Sequence, residues 1–236
     1  MRLLLTRPEP DAQRTAAALR AQGHDVITAP LLRIEPATDA QIGAGPWAAI
    51  LITSANAAHA VAAHARATHL RALPVFAVGR RSAEAMAAAG FADVTSADGN
   101  VSDLARLVAA RIRPAAALLY LAGEDRAGDL AADLRADGFT VETIIIYRAV
   151  AATGLPAAAT QALAGGIDGV LHFSRRSAEV FVDAARTAGM VANALKPVHF
   201  CLSTQVAEPL AQAGAADIRV AAHANEAALL ALIDAA

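Results

Sequence analysis

The sequence predicts an α/β protein built from two related domains, each with a parallel sheet. Two observations carry that prediction. Short, continuously apolar β-type runs alternate with alanine-rich helical runs, as expected of strands covered by helices on both faces. The chain also repeats itself. The stretch LLLTRPEPDAQRTAAALRAQGHDV parallels LLYLAGEDRAGDLAADLRADGFTV about 115 residues later, and two further blocks recur in the same order. WAAILITSANAAHAVAAHA parallels IDGVLHFSRRSAEVFVDAA, and PVFAVGRRSAEAMAAAGFADV parallels PVHFCLSTQVAEPLAQAGAADI. Convergent patterning accounts for one such match but not for three in register.

In chain order, RLLLT precedes a helix over 11–22 that stops at Gly23, and Val26–Thr28 follows. AAILIT precedes a helix over 55–66, and PVFAV one over 81–89 that stops at Gly90. ALLYL at 117–121 leads to a helix over 125–137 ended by Gly138, then to VETIIIYRAV. GVLHF at 169–173 precedes 176–188, VHFCL precedes 205–213 with Gly214 beyond it, and a helix over 225–235 closes the chain. Glycine just past a helix suits the left-handed C-cap position.

With 56% hydrophobic residues in 236, the chain has the means to bury a core and is not globally disordered. No apolar run approaches the roughly 18–20 residues that span a bilayer. MRLLLTRPEP is too short and too soon charged for a secretory signal. A net charge of −2 gives no basic excess for nucleic acid or a membrane surface. The lone Cys201 excludes an internal disulfide and a cysteine zinc cluster. A soluble, cytoplasmic protein is expected.

Polar residues gather where each strand ends. The first half offers Thr6 and Arg7, then Thr53, Ser54 and Asn56, then Gly79, Arg80 and Ser82. The second offers Gly123 and Arg126, then Ser174 and Ser177, then Ser203 and Thr204. Any one group reads as an ordinary helix cap. Six at the same edge point to a ligand cleft between two domains, because open parallel sheets bind ligands at the carboxyl ends of their strands. There is no G-x-G-x-x-G after a strand, no P-loop and no G-x-S-x-G elbow, so nucleotide and serine-hydrolase chemistries lack their signatures. His59, His64 and His69 fall five apart, off a common helical face, and are expected to be solvated rather than metal ligands. Tyr147 ends the run Ile144–Ile146 beside Arg148; it fits either strand-end packing or a hydrogen-bond donor facing a ligand.

These segments together resemble the uroporphyrinogen-III synthase family over nearly the whole chain. LLLTRPEPDAQRTAAALRAQGHDVITAPLLRIEP is similar to the family's opening, and ILITSANAAHAV to its Thr-Ser-Ala-Asn segment. AVGRRSAEAMAAAGF is similar to its Gly-x-x-[Ser/Thr]-Ala segment, and YLAGEDRAGDLAADLRADGFTVETIIIYRAV carries its Gly-x-x-Arg and Tyr-x-x-Val. Two segments depart from it. Leu202-Ser203-Thr204-Gln205-Val206-Ala207 stands where Ile-Gly-Pro-x-Thr-Ala is usual, and Phe173-Ser174-Arg175-Arg176-Ser177 where Thr-Ser-x-x-Ser is commoner.

The resemblance implies two α/β domains joined by a two-stranded hinge, one formed by 1–36 plus 152–236 and the other by 37–150. It implies a monomeric, cofactor-independent lyase that cyclises hydroxymethylbilane, a linear tetrapyrrole with eight carboxylates, to uroporphyrinogen III with its terminal ring inverted. The strand-end residues named above would hold carboxylates, and Tyr147 would assist departure of the hydroxyl. Two alternatives stay open on the residues themselves. One is a non-catalytic two-domain binder of an anionic small molecule, which needs the same edges but not Tyr147. The other is a diverged homologue without synthase activity, for which the altered 202–207 block speaks.

Overall fold

The structure, a computed structural model, describes residues 1–126 and 128–234. Its elements in order are β1 (Arg2–Leu5), α1 (Asp11–Ala21), β2 (Asp25–Thr28), β3 (Leu32–Pro36), β4 (Ala49–Ile52), α2 (Ala55–Ala62), α3 (Ala67–Leu70) and β5 (Val75–Ala77). Then come α4 (Arg80–Ala88), β6 (Val94–Ser96), α5 (Val101–Arg111), β7 (Ala117–Gly123), α6 (Leu130–Ala136), β8 (Thr140–Ala151) and α7 (Ala157–Gly165). The chain ends with β9 (Gly169–His172), α8 (Arg175–Thr187), α9 (Val191–Leu195), β10 (Val198–Cys201), α10 (Thr204–Ala213), β11 (Ile218–Val220) and α11 (Glu226–Asp234). Among the described residues, no helix is long and apolar enough to cross a membrane.

The chain divides into two compact units, Met1–Arg33 with Val150–Ala236, and Ile34–Ala149. The first holds a five-stranded sheet in the order β11-β10-β9-β1-β2; the second a six-stranded sheet in the order β3-β8-β7-β4-β5-β6. The sequence repeat makes β7 the counterpart of β1, β4 of β9 and β5 of β10. With β8 matched to β2 and β6 to β11, both sheets have one strand order. β3 is the addition. Ala37 N–H donates to the Ile146 carbonyl at 2.8 Å and Ala152 N–H to the Leu31 carbonyl at 2.9 Å, so β3 runs antiparallel to β8. The other strands of both sheets pair in parallel, as expected, and this edge strand is the antiparallel addition.

The apolar strands are continuous because both faces are covered. Leu3, Leu4 and Leu5 are fully buried. Alternation sends Leu4 to the cluster around Phe181, and Leu3 and Leu5 to the one around Phe200. In the second unit, Ile50 and Ile52 face Met86 and Val61, while Ala49 and Leu51 face Leu104 and Leu134. Helix α8 buries Ala178, Phe181, Val182 and Ala185, the spacing of one helical stripe. Phe181 has no exposure, and its truncation to alanine would cost about 3–5 kcal/mol.

One buried pair in the first unit is polar. His172 on β9 and His199 on β10 are fully buried, with Nε2 of the first 3.0 Å from Nδ1 of the second. Phe181 meets both rings edge-on. His172 Nδ1 and His199 Nε2 have no partner among the described residues. Burial pushes both imidazoles down, His172 well below its ordinary value and His199 to about 4.

Several boundaries differ from the sequence reading. The helix expected over 125–137 forms only over Leu130–Ala136, because Gly128 adopts a left-handed φ of +92° and Asp129 caps the helix by accepting from Ala132 N–H. Residue 127 lies outside the described residues. The helix expected over 55–66 breaks after Ala62, and a separate turn of helix follows at Ala67–Leu70. His64, expected to be solvated, is half-buried at that break and holds it, with Nδ1 accepting from Arg66 N–H and Nε2 on the Ala40 carbonyl. The glycine stops did form: Gly23, Gly90, Gly138 and Gly214 all take positive φ.

Candidate functional site

In each sheet the connections reverse direction at one junction, between β1 and β9 in the first unit and between β7 and β4 in the second. Ligands of open α/β sheets bind beyond the carboxyl ends of strands at such a reversal. Thr6, Arg7, Ser54, Asn56, Gly123, Arg126, Ser174 and Ser177 end or follow the strands that flank these reversals, whereas Gly79, Arg80 and Ser82 follow β5 and Ser203 and Thr204 follow β10, one strand further out.

In the second unit the central feature is a β-bulge. Ala122 lies opposite Ile145, but Gly123 lies opposite Tyr147, so Ile146 is an extra residue in β8. A bulge re-aims the side chain that follows it. Ile146 is buried and Tyr147 half-buried, and both pack on the α2–α4 side of the sheet. The Tyr147 ring then crosses Gly123, where a Cβ would lie 2.5 Å from its Cζ and 2.6 Å from its hydroxyl oxygen. Burial raises the Tyr147 pKa above its ordinary value; Ser54 opposes that rise and the neighbouring Tyr120 adds to it. The phenol keeps its proton at neutral pH and is a donor.

Around it, Ser54 caps α2 by accepting from Asn56 N–H at 3.2 Å. The Thr53 hydroxyl is 2.9 Å from that of Tyr120, which is buried. The sequence reading left Tyr120 out of the site, since nothing in ALLYL distinguishes a strand tyrosine that reaches the strand end from one that only packs. At α4 the N-cap is Gly79, which has no side chain to offer, and the first turn carries no acidic residue. Arg80 is exposed there and Ser82 is buried, at 6% exposure. Arg126, also expected in the site, is an exposed residue beyond β7.

In the first unit, Thr6 is fully buried and its hydroxyl donates to the Leu171 carbonyl at 3.1 Å, which ties β1 to β9. Arg7, expected at an open edge, belongs instead to a buried ionic cluster. Its guanidinium donates to Thr15 at 2.9 Å and Asp11 at 3.0 Å, lies 3.3 Å from Glu226 and covers the Phe173 ring at 4.0 Å. Burial lowers the Arg7 pKa while Glu226 opposes the fall. For Glu226, burial acts upward but is outweighed by Thr15, Arg14 and Arg7, which hold it below the usual carboxylate range. Neither Asp11 nor Glu226 was singled out from the sequence; 219 residues separate Arg7 from Glu226, and no local pattern links them.

Ser174 caps α8 by accepting from Ser177 N–H at 3.1 Å, and their hydroxyls are 2.8 Å apart. Arg175 binds Glu179 at 2.9 Å and Glu208 at 2.6 Å, bracing α8 against α10. At α10 the N-cap is Ser203, yet its side chain makes no cap bond, and the first turn has no acidic residue. Thr204 is exposed beside it. The repeat thus extends to helix starts. The paired helices α2 and α8 are closed by serine, and the paired helices α4 and α10 are left open. Among the described residues, no group of three His, Cys, Asp or Glu side chains is placed to hold a metal ion.

Comparison with known proteins gives one consistent result. A family profile described as Uroporphyrinogen-III synthase HemD matches residues 13–231. A uroporphyrinogen-III synthetase from Helicobacter pylori superposes with a TM-score of 0.70 at 15% identity, covering 100% of this chain and 99% of its own. A mutant uroporphyrinogen III synthase from the extremely thermophilic bacterium Thermus thermophilus gives 0.56 at 15% identity, with 100% and 98% covered. At that identity the two structures show the shared two-unit α/β fold. No curated protein matches.

Proposed function

The chain belongs to the uroporphyrinogen-III synthase family, and we propose from its geometry how it carries out the synthase reaction. The substrate is hydroxymethylbilane, whose carboxylates require several anion sites without a dedicated arginine for each. The observation that carries this reading is the pair of open helix starts, α4 and α10, at equivalent places in the two units. Unsatisfied N–H groups and the helix dipole make such ends receptive to carboxylates. Arg80 and Ser82 at one, and Ser203 and Thr204 at the other, add side-chain donors. Ser203 replaces the family's glycine without closing α10, so this departure leaves the anion site available.

Tyr147 donates toward the departing hydroxyl of the bilane. Loss of water leaves an azafulvene electrophile, which is attacked by the substituted carbon of the terminal ring. The spiro intermediate then opens and recloses with that ring inverted. Carbon–oxygen bond cleavage with elimination of water makes the enzyme a lyase, and neither an oxidant nor a covalent nucleophile is needed, so it acts without a cofactor. Holding both ends of the bilane in the inverting geometry is the main task, because free bilane closes without inversion. We place the enzyme in the cytoplasm as a monomer. The bulge and Gly123 seat that aim Tyr147 favour a catalyst over a passive anion binder, which would have no use for them.

The reading is tested by supplying bilane and separating the isomers formed. Isomer III in excess of the spontaneous isomer I supports it; isomer I alone refutes it.

A further inference from the structure

We infer that the second unit carries a binding site for a small organic carboxylate, separate from the strand-end residues. The site is a cavity of about 520 Å³ that the segment after β3 closes against the end of α2, with Ile42, Ala60 and Ile146 among its apolar walls and Arg66 as its cation.

The wall is held by His64. Its Nδ1 accepts from Arg66 N–H at 3.1 Å and is therefore unprotonated, so Nε2 carries the proton and donates to the Ala40 carbonyl at 3.1 Å. That staple ties the 36–42 segment to the turn that presents Arg66. Arg66 also lines a second cavity of about 320 Å³ beside Trp47 and Leu73. Among the described residues, no aspartate or glutamate lines either space. Arg66 Nε is buried and has no acceptor among the described residues. Arg7, Arg148 and Arg175, by contrast, each face carboxylates within 4 Å. A half-buried arginine on the wall of a largely apolar cavity that no aspartate or glutamate lines suits an anionic ligand.

The volume and lining narrow the class. Inorganic phosphate would leave the apolar walls uncovered, whereas a carboxylate on an aryl or alkyl body would reach Arg66 and cover Ile42, Ala60 and Ile146. Tyr147 and Ser54 do not line this space. Ile146 does, and it is the extra residue of the bulge, its carbonyl taking the Ala37 N–H at 2.8 Å. A bound carboxylate would press on the backbone that aims Tyr147.

The test is an NMR titration of the ¹⁵N-labelled protein with sodium benzoate, with benzamide and inorganic phosphate as controls. Saturable shifts confined to Ala37, Ala40, Gln41 and His64 are expected. Binding should weaken by about tenfold or more for benzamide, for phosphate and in Arg66→Gln. Should Arg66→Gln lose its fold, Ala63→Phe decides: this exposed position lines the cavity, and the ring should block benzoate while the rest of the spectrum stays in place. No saturable shift in the wild type overturns the inference, as does unchanged affinity in the folded variants or phosphate binding as tightly as benzoate. Turnover enters none of these readouts, so the result stands apart from the synthase reading.

Discussion

A methyl group on Gly123 would lie 2.5 Å from Cζ of Tyr147, closer than carbon atoms approach without displacement. The glycine is therefore the seat of the tyrosine. Gly123→Ala should move the ring while leaving the strand paired. A shift of about 1 Å at a reacting group can cost on the order of 10²-fold in rate. Bilane turnover in Gly123→Ala should fall by that order, with far-UV circular dichroism unchanged. Wild-type turnover would show that the position of Tyr147 is not critical.

The open start of α4 gives a second prediction. Ser82 is too buried for a bulky replacement, so Ser82→Ala is the informative change. Loss of a hydroxyl that binds a substrate carboxylate should raise KM severalfold with little effect on kcat. Because Ser82 supplies no helix cap, the variant should lose less stability than the roughly 0.5–2 kcal/mol typical of a lost cap. Unchanged KM would return Ser82 to a packing role.

The buried histidine pair predicts acid sensitivity confined to the first unit. His199 is held at about 4 by burial, against the partial opposition of the Ala194 backbone and then Asp217, and is neutral in the folded state. An unfolded histidine protonates near pH 6.5. Because the folded value is the lower one, the stability is full above about pH 6.5 and declines as pH falls toward 4. Between pH 7 and pH 5 the loss through His199 alone should be about 2 kcal/mol, and His172, also held low by burial, adds to it. Hydrogen exchange should report it as faster exchange in β9 and β10 than in β4 and β7, and His199→Leu should weaken the pH dependence, the remainder coming from His172. Equal acceleration in both sheets would contradict this.

The repeat was the most legible feature of the sequence, because three blocks aligned in the same order predict two related α/β halves. The two sheets share one strand order, as two related halves should, and the glycine stops fall where the left-handed residues are. The short elements were harder. β6 and β11 have three residues each, too few for a period to show. Helix α5 was passed over although Asn100 and Asp103 form a capping box, a signal present in GNVSD. At the site, residue type and strand end were readable, but the state of each side chain was not. Arg7 and Thr6 look like ligand contacts until Glu226 and Leu171 are brought to them by folding. Nothing in ALLYL showed that the buried Tyr120 also reaches Thr53 with its hydroxyl, and the bulge that turns Tyr147 has no sequence signature in IIIYRAV.

The most direct measurement is the isomer ratio and rate from hydroxymethylbilane with the wild type and Tyr147→Phe side by side. The variant keeps the ring that packs on Gly123 and removes only the donor. The wild type should give chiefly isomer III. The variant should lower kcat by up to about 10²–10⁴-fold, the usual span for a general acid, at nearly constant KM. As spontaneous closure overtakes it, the product should drift toward isomer I. A wild type that yields only isomer I at the uncatalysed rate would contradict the account.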